Sequence, residues 1–181
     1  MSVPPTRPFE GDRPEVAESA FVSEMAYLVG DATVAERASV WPFACVRGDY
    51  GPVSVGSETN VQDFTMLHEA TLGSGVTVGH NVVVDRATVG DDTLIGMSST
   101  ILPEASVGDE CVVAAGTVVR EGQEIPDGHM AYGSPPETEP IGEDRKAQIR
   151  WYCEEYLRLS ERYREAEAPL GRARGDGGPE R

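Results

Sequence analysis

The stretch from Thr77 to Asp92, TVGHNVVVDRATVGDD, decides the fold, because its aliphatic residues Val78, Val84 and Val89 recur every five or six positions and glycine follows two of them. The same beat runs outward in both directions. Upstream it passes through Leu72-Gly73, Leu67, Val61, Val55-Gly56, Val46, Val40 and Val34, and downstream through Ile95-Gly96, Ile101, Val107-Gly108, Val113, Val119 and Ile125. A period of six fits neither a helix nor a single two-sided strand, so the repeating unit is a longer turn of chain that bends at corners.

Three hexads closing one coil sort these residues into three columns. The first holds Val34, Val55, Leu72, Val89, Val107 and Ile125, the second Val40, Val61, Val78, Ile95 and Val113, and the third Val46, Leu67, Val84, Ile101 and Val119. All are aliphatic. The register survives one insertion near RGDYGP and two one-residue deletions. Short strands then pair with the coil above and below at about 4.8 Å while the columns fill the interior. The class expected is an all-β solenoid, a parallel β-helix over 29–133, with residues 1–28 as a cap or flank. PPETEP breaks the strand pattern, and 134–168 reads as a linker and a helix with an apolar stripe of Ile149, Tyr152, Tyr156, Leu159 and Tyr163. The Gly-, Pro- and Arg-rich end, 169–181, reads as a disordered tail.

Composition narrows the function classes. Asp and Glu number 31 against 15 Lys and Arg, a formal net charge of −16, and Lys146 is the sole lysine. So acidic a chain repels phosphate backbones, which argues against nucleic acid as a partner. The same lysine-poor acidity suits a high-salt cytoplasm, so a halophilic origin is expected. No apolar run is long enough to span a membrane, and the first residues show neither an apolar core nor a cleavage site of a signal peptide, so a cytoplasmic location is expected. Cys45, Cys111 and Cys153 lack CxxC spacing and read as free thiols.

The residue after each third-column position is Arg47, His68, Asp85, Leu102 or Arg120. His68 and Asp85 therefore occupy equivalent places in successive coils, about 4.8 Å apart. Two such donors can share one metal ion at about 2.0–2.2 Å each. His80 follows Val78 by two positions and belongs around a corner, where a second copy of the chain, packed side by side, would be needed to bring it to that ion.

CVRGDYGPVSVGSETNVQDFTMLHEA (45–70) followed by VTVGHNVVVDRATVGDDTLIGMSSTIL (76–102) resembles the gamma-class carbonic anhydrases, over roughly Tyr27 to Tyr163. The ordered RGD, NxQD and LH motifs carry the resemblance; hexapeptide repeats alone are shared with many acyltransferases. It implies a left-handed β-helix, a homotrimer with zinc at the subunit interfaces, and reversible hydration of CO2 to bicarbonate by water activated on the metal. By the same resemblance Arg47 and Asp49 form an ordering salt bridge between subunits, Asn60 and Gln62 line the pocket beside the reacting water, and His68 and His80 ligate the metal. Asp85 stands where the family has its third histidine, and Tyr50 where well-characterised members have a glutamate. A carboxylate ligand weakens the metal as a Lewis acid and, being harder than imidazole, favours iron or cobalt relative to zinc. Two alternatives accompany this reading. One is a trimeric hexapeptide-repeat scaffold that has lost activity; the other, less favoured, is a hexapeptide acyltransferase, for which no coenzyme A site is visible. His129 reads as a solvated loop residue.

Overall fold

Within each short strand, alternation turns one side chain inward and its neighbours outward. The computed structural model, which describes residues 6–167, stacks these strands into a parallel β-helix of about seven turns with one C-terminal helix. The three columns form as the periodicity requires. In the first, Val34 pairs with Val55, Val55 with Leu72, Leu72 with Val89, Val89 with Val107 and Val107 with Ile125. The second runs Val40, Val61, Val78, Ile95, Val113, and the third Val46, Leu67, Val84, Ile101, Val119. Every column residue is at most 3% exposed, so each coil seals the one below from water.

Strand pairing begins before residue 29. Thr6–Arg7, Glu15–Val16 and Phe21–Val22 pair in parallel with the strands that follow one coil later. The beat continues upstream at intervals of six through Leu28, Val22 and Val16, and Leu28 is fully buried. At the other end His129–Gly133 extends the second face in parallel, and Pro136–Pro140 then returns antiparallel along it. That hairpin is where PPETEP stops the coils. The expected tail, 169–181, lies outside the described residues.

Buried hydroxyls tie the corners of successive coils together. Thr59, Thr65 and Thr93 each donate through Oγ1 to a carbonyl one coil on, at Gly73, Gly79 and Gly108, and each accepts an N–H, from Val76, Val82 and Cys111. Backbone groups that a corner would strand are satisfied in this way. At the RGD corner the glycines are forced by close approach: a Cβ on Gly48 would lie 2.1 Å from the Asp31 carbonyl oxygen, and one on Gly30, at φ +71°, 2.0 Å from that of Gly48.

Helix α1, Glu143–Glu167, covers the second face. Its buried line is Ile149, Cys153 and Ser160, with Tyr156 and Tyr163 packing edge-on against Trp41. The stripe expected from the sequence is thus rotated: Tyr152 lies beside Trp151, and small side chains at 153 and 160 let the helix approach the sheet. Lys146 pairs with Glu110 near one end, and Arg164 Nη1 donates to the Ser19 carbonyl at 2.9 Å near the other. The outer surfaces of the other two faces differ. The first presents Thr33, Ser54, Thr71, Thr88, Ser106 and Glu124, whereas the third presents Tyr27, Cys45, Met66, Val83, Thr100 and Val118, mostly apolar, and is uncovered within the described chain. Among the described residues no helix is long and apolar enough to cross a membrane.

Candidate metal centre

Because Val46, Leu67 and Val84 are pinned inward, the residue after each emerges at the same place on successive coils. The register accordingly aligns Arg47 with His68 and His68 with Asp85. His68 Nδ1 lies 2.9 Å from Asp85 Oδ1, and its Nε2 lies 3.1 Å from Arg47 Nη2 and 3.2 Å from Asp49 Oδ1. A guanidinium only donates, so Arg47 gives one N–H to His68 Nε2 and another, from Nε at 3.0 Å, to Asp49 Oδ1. The Nδ1 side of the ring faces the Asp85 carboxylate, an acceptor. One arginine edge gathers both Asp49 and the imidazole, and His68 is mostly shielded, its side chain 16% exposed. Arg86 Nε stands farther off, 3.8 Å from Asp85 Oδ1, and Tyr50 is 83% exposed with its ring centroid 6.1 Å from that of His68.

The second group forms around the corner. Gln62 Nε2 donates to Asn60 Oδ1 at 3.0 Å, and Asn60 Nδ2 donates to Thr77 Oγ1 at 2.9 Å. His80 sits on the coil above Asp63, its Nδ1 3.1 Å from Asp63 Oδ2, and no hydrogen bond or ion pair joins it to His68 or Asp85 among the described residues. Nor do those residues contain, within one chain, any group of three or more His, Cys, Asp or Glu able to hold a metal. The structure therefore brings His68, Asp85, Arg47 and Asp49 together and brings Asn60 and Gln62 together, while His80 pairs with Asp63 and is hydrogen-bonded to neither group among the described residues. Tyr132 donates to Glu137 inside the terminal hairpin, and His129 Nδ1 contacts the Asp127 carbonyl oxygen, both remote in sequence and in contacts from these groups.

Three neighbours carried no role in the sequence reading. Asp63, the last residue of NxQD, faces His80; Glu69 Oε1 lies 3.6 Å from His68 Nε2; and Thr77 supports Asn60. The signal for Thr77 was the same 17-residue offset that aligned His68 with Asp85. Helix α1 also reaches this corner, since burial and then the charge of Asp63 push the Tyr156 hydroxyl pKa up. Burial, the larger effect, pushes the Cys45 thiol pKa up against the opposing pull of Arg47.

The donor set meets the first requirements of a divalent metal. Imidazole nitrogen and carboxylate oxygen are both ordinary ligands for zinc and iron, and two donors at about 2.0–2.2 Å from one ion lie roughly 3 Å apart. The 2.9 Å separation of His68 Nδ1 and Asp85 Oδ1 has that size. One chain supplies two donors, one short of the minimum for a catalytic site. Beside Asp49 opens a cleft of about 280 Å³ whose charged lining residues are Glu10, Asp12, Asp31 and Asp49.

Residues 86–121 match the family described as bacterial transferase hexapeptide (six repeats). Over 170 residues the chain is 30% identical to Protein YrdA of Escherichia coli (strain K12), covering 87% of this chain and 92% of that protein. The chain belongs to the hexapeptide-repeat β-helix family that includes YrdA. It is also 35% identical over 63 residues to a carbonic anhydrase of Geobacillus kaustophilus (strain HTA426), a match spanning 35% of either chain, and so about a third of that relative's length. The crystal structure of a hexapeptide transferase family protein from Anaplasma phagocytophilum has a TM-score of 0.85 at 29% identity, covering 87% of this chain and 97% of that one. Relatives in this family carry both lyase and transferase names, so the reaction has to be argued from the site.

Proposed function

We propose that the chain forms a homotrimer that catalyses reversible hydration of CO2 to bicarbonate, with a divalent metal, zinc or else iron or cobalt, held between subunits. The observation that carries this reading is the register-locked pair of His68 and Asp85, 2.9 Å apart and braced by Arg47 and Asp49. His68 and Asp85 would hold the ion from one subunit and His80 from the next. Held there, a divalent ion would supply Lewis acidity that lowers the pKa of a bound water. Arg47 fixes the plane of the His68 ring, and Asp49 holds Arg47. Gln62 orients the reacting water, and Asn60 orients Gln62. The uncovered apolar third face, which ends on the His68 corner, supports subunit association there.

The alternative of a non-catalytic trimeric scaffold draws on one observation: both ring nitrogens of His68 are already engaged, one of them directly by Asp85. Metal analysis and CO2 hydration assays on the purified trimer separate the two. The enzyme reading expects stoichiometric metal in the wild type and its loss in His68→Ala. Asp85→His, which removes a negative charge from the ligand set, is expected to raise turnover at neutral pH. Wild-type trimer without metal, with activity appearing only in Asp85→His, would assign the scaffold.

A further inference from the structure

The hydrogen-bonded chain behind Gln62 has a direction, and that direction is set two residues away. Asn60 Nδ2 reaches Thr77 Oγ1 at 2.9 Å and the Val76 carbonyl oxygen at 3.5 Å. A carbonyl only accepts, so the nitrogen end of the Asn60 amide belongs on that side and its Oδ1 faces Gln62. Oδ1 accepts from Gln62 Nε2 at 3.0 Å. The carbonyl end of Gln62 is thereby left open. Thr117 Oγ1 is the one buried side-chain polar atom without a partner among the described residues. Gln62 Oε1 makes no hydrogen bond to those residues and is not such an atom, so solvent reaches it. Thr77 and Asn60 are 1% exposed and Gln62 5%, which keeps water from substituting within the chain of bonds.

We infer that Thr77 is a positioning residue for Gln62: acting through Asn60, it holds the Gln62 amide with Oε1, an acceptor, presented at the corner that carries His80. Without the Thr77 hydroxyl, Asn60 keeps only its 3.5 Å contact to Val76 on that side. Rotation of both amides then exchanges an acceptor for a donor at the surface. An acceptor receives a hydrogen bond from a water and so directs the water's lone pair outward, whereas a donor engages that lone pair. The catalytic meaning rests on the CO2 reading above; the amide orientation does not.

Thr77→Val removes the hydroxyl while keeping a β-branched strand residue, Thr77→Ala does so without added bulk, and Thr77→Ser restores it. Side-chain amide resonances of Asn60 and Gln62 in the metal-free full chain, assigned with Gln62→Ala, give the first readout. Both amide pairs are expected to shift in Thr77→Val and Thr77→Ala, with exchange of the Gln62 amide protons about tenfold faster, and to return in Thr77→Ser. In metal-loaded trimer the same variants should lose about tenfold in turnover with KM for CO2 unchanged, again rescued by Ser. An unmoved Gln62 amide in Thr77→Val overturns the inference. A shifted amide with unaltered turnover overturns its catalytic part. Amides shifted in the Thr77 variants, together with a wild-type trimer that binds no metal, uphold the positioning and defeat the CO2 reading instead.

Discussion

Side chains at the coil corners share space with the coil above, so a charge there is read by its neighbours. Asp92 is the clearest case: burial, then the charges of Asp91 and Glu110, push its carboxyl pKa up from 3.8, against Arg150. The folded state thus binds this proton more readily than the unfolded chain. Ionised Asp92 costs stability above its folded pKa, and the cost is relieved as pH falls through that value toward 3.8. Asp92→Asn is expected to raise the thermal midpoint at neutral pH, with the gain shrinking in acid, as thermal unfolding at several pH values would show. Asn also tolerates the left-handed φ of +49° at this corner. His68 and Asp85 were legible at this scale because both follow a column residue at a fixed offset. Asp63 and Thr77 stand at that same 17-residue offset from His80 and Asn60, but the spacing gives only adjacency, and the contact of Glu69 with His68 depends on a corner rotamer that no periodicity specifies.

Most strands of this solenoid are only two or three residues long, so the stability of each resides in one inward side chain and two neighbouring coils. Ile101, fully buried between Val84 and Val119, is a representative member. Ile101→Ala is expected to cost about 2–5 kcal/mol in urea unfolding, while Thr100→Ala, on the outer side of the same strand, should change stability by about 0.5 kcal/mol or less. Equal losses from both would contradict the assignment of inner and outer faces. Helix α1 shows where sequence periodicity stops informing. Its spacing allows two adjacent stripes, one through Tyr152 and Leu159 and one through Cys153 and Ser160. The choice went to the small residues because the Trp41 ring needs Tyr156 and Tyr163 around it and the backbone close by.

Across the whole molecule, 31 acidic residues against 15 basic ones make self-repulsion the dominant electrostatic effect, and it is sensitive to salt. Asp91, Asp109 and Asp127 illustrate it, standing on successive coils with each carboxylate accepting a backbone N–H from the coil before. Screening relieves the repulsion but leaves those short hydrogen bonds largely intact. Thermal midpoints are expected to rise from dilute buffer to molar salt. A stability maximum in dilute buffer, with structure lost at molar salt, would count against a salt-adapted protein.

The hexad beat, running from Val34 to Ile125, was sufficient on its own to point to a β-solenoid with three named interior columns, while its continuation upstream to Val16 emerged with the structure. A side chain's inward or outward sense follows from its place in a repeat, and every coil repeats the same environment. It likewise put Asp85 beside His68 and His80 elsewhere, since an offset of 17 residues is one coil and an offset of five is a corner. Tertiary structure decided the rest. It chose the helix face that covers the second sheet, left the third face bare, set Arg47 on both Asp49 and His68, and gave the Asn60–Gln62 amides their direction through Val76 and Thr77. Those outcomes depend on which partner each donor meets across coils, and a one-dimensional pattern records spacing but not orientation.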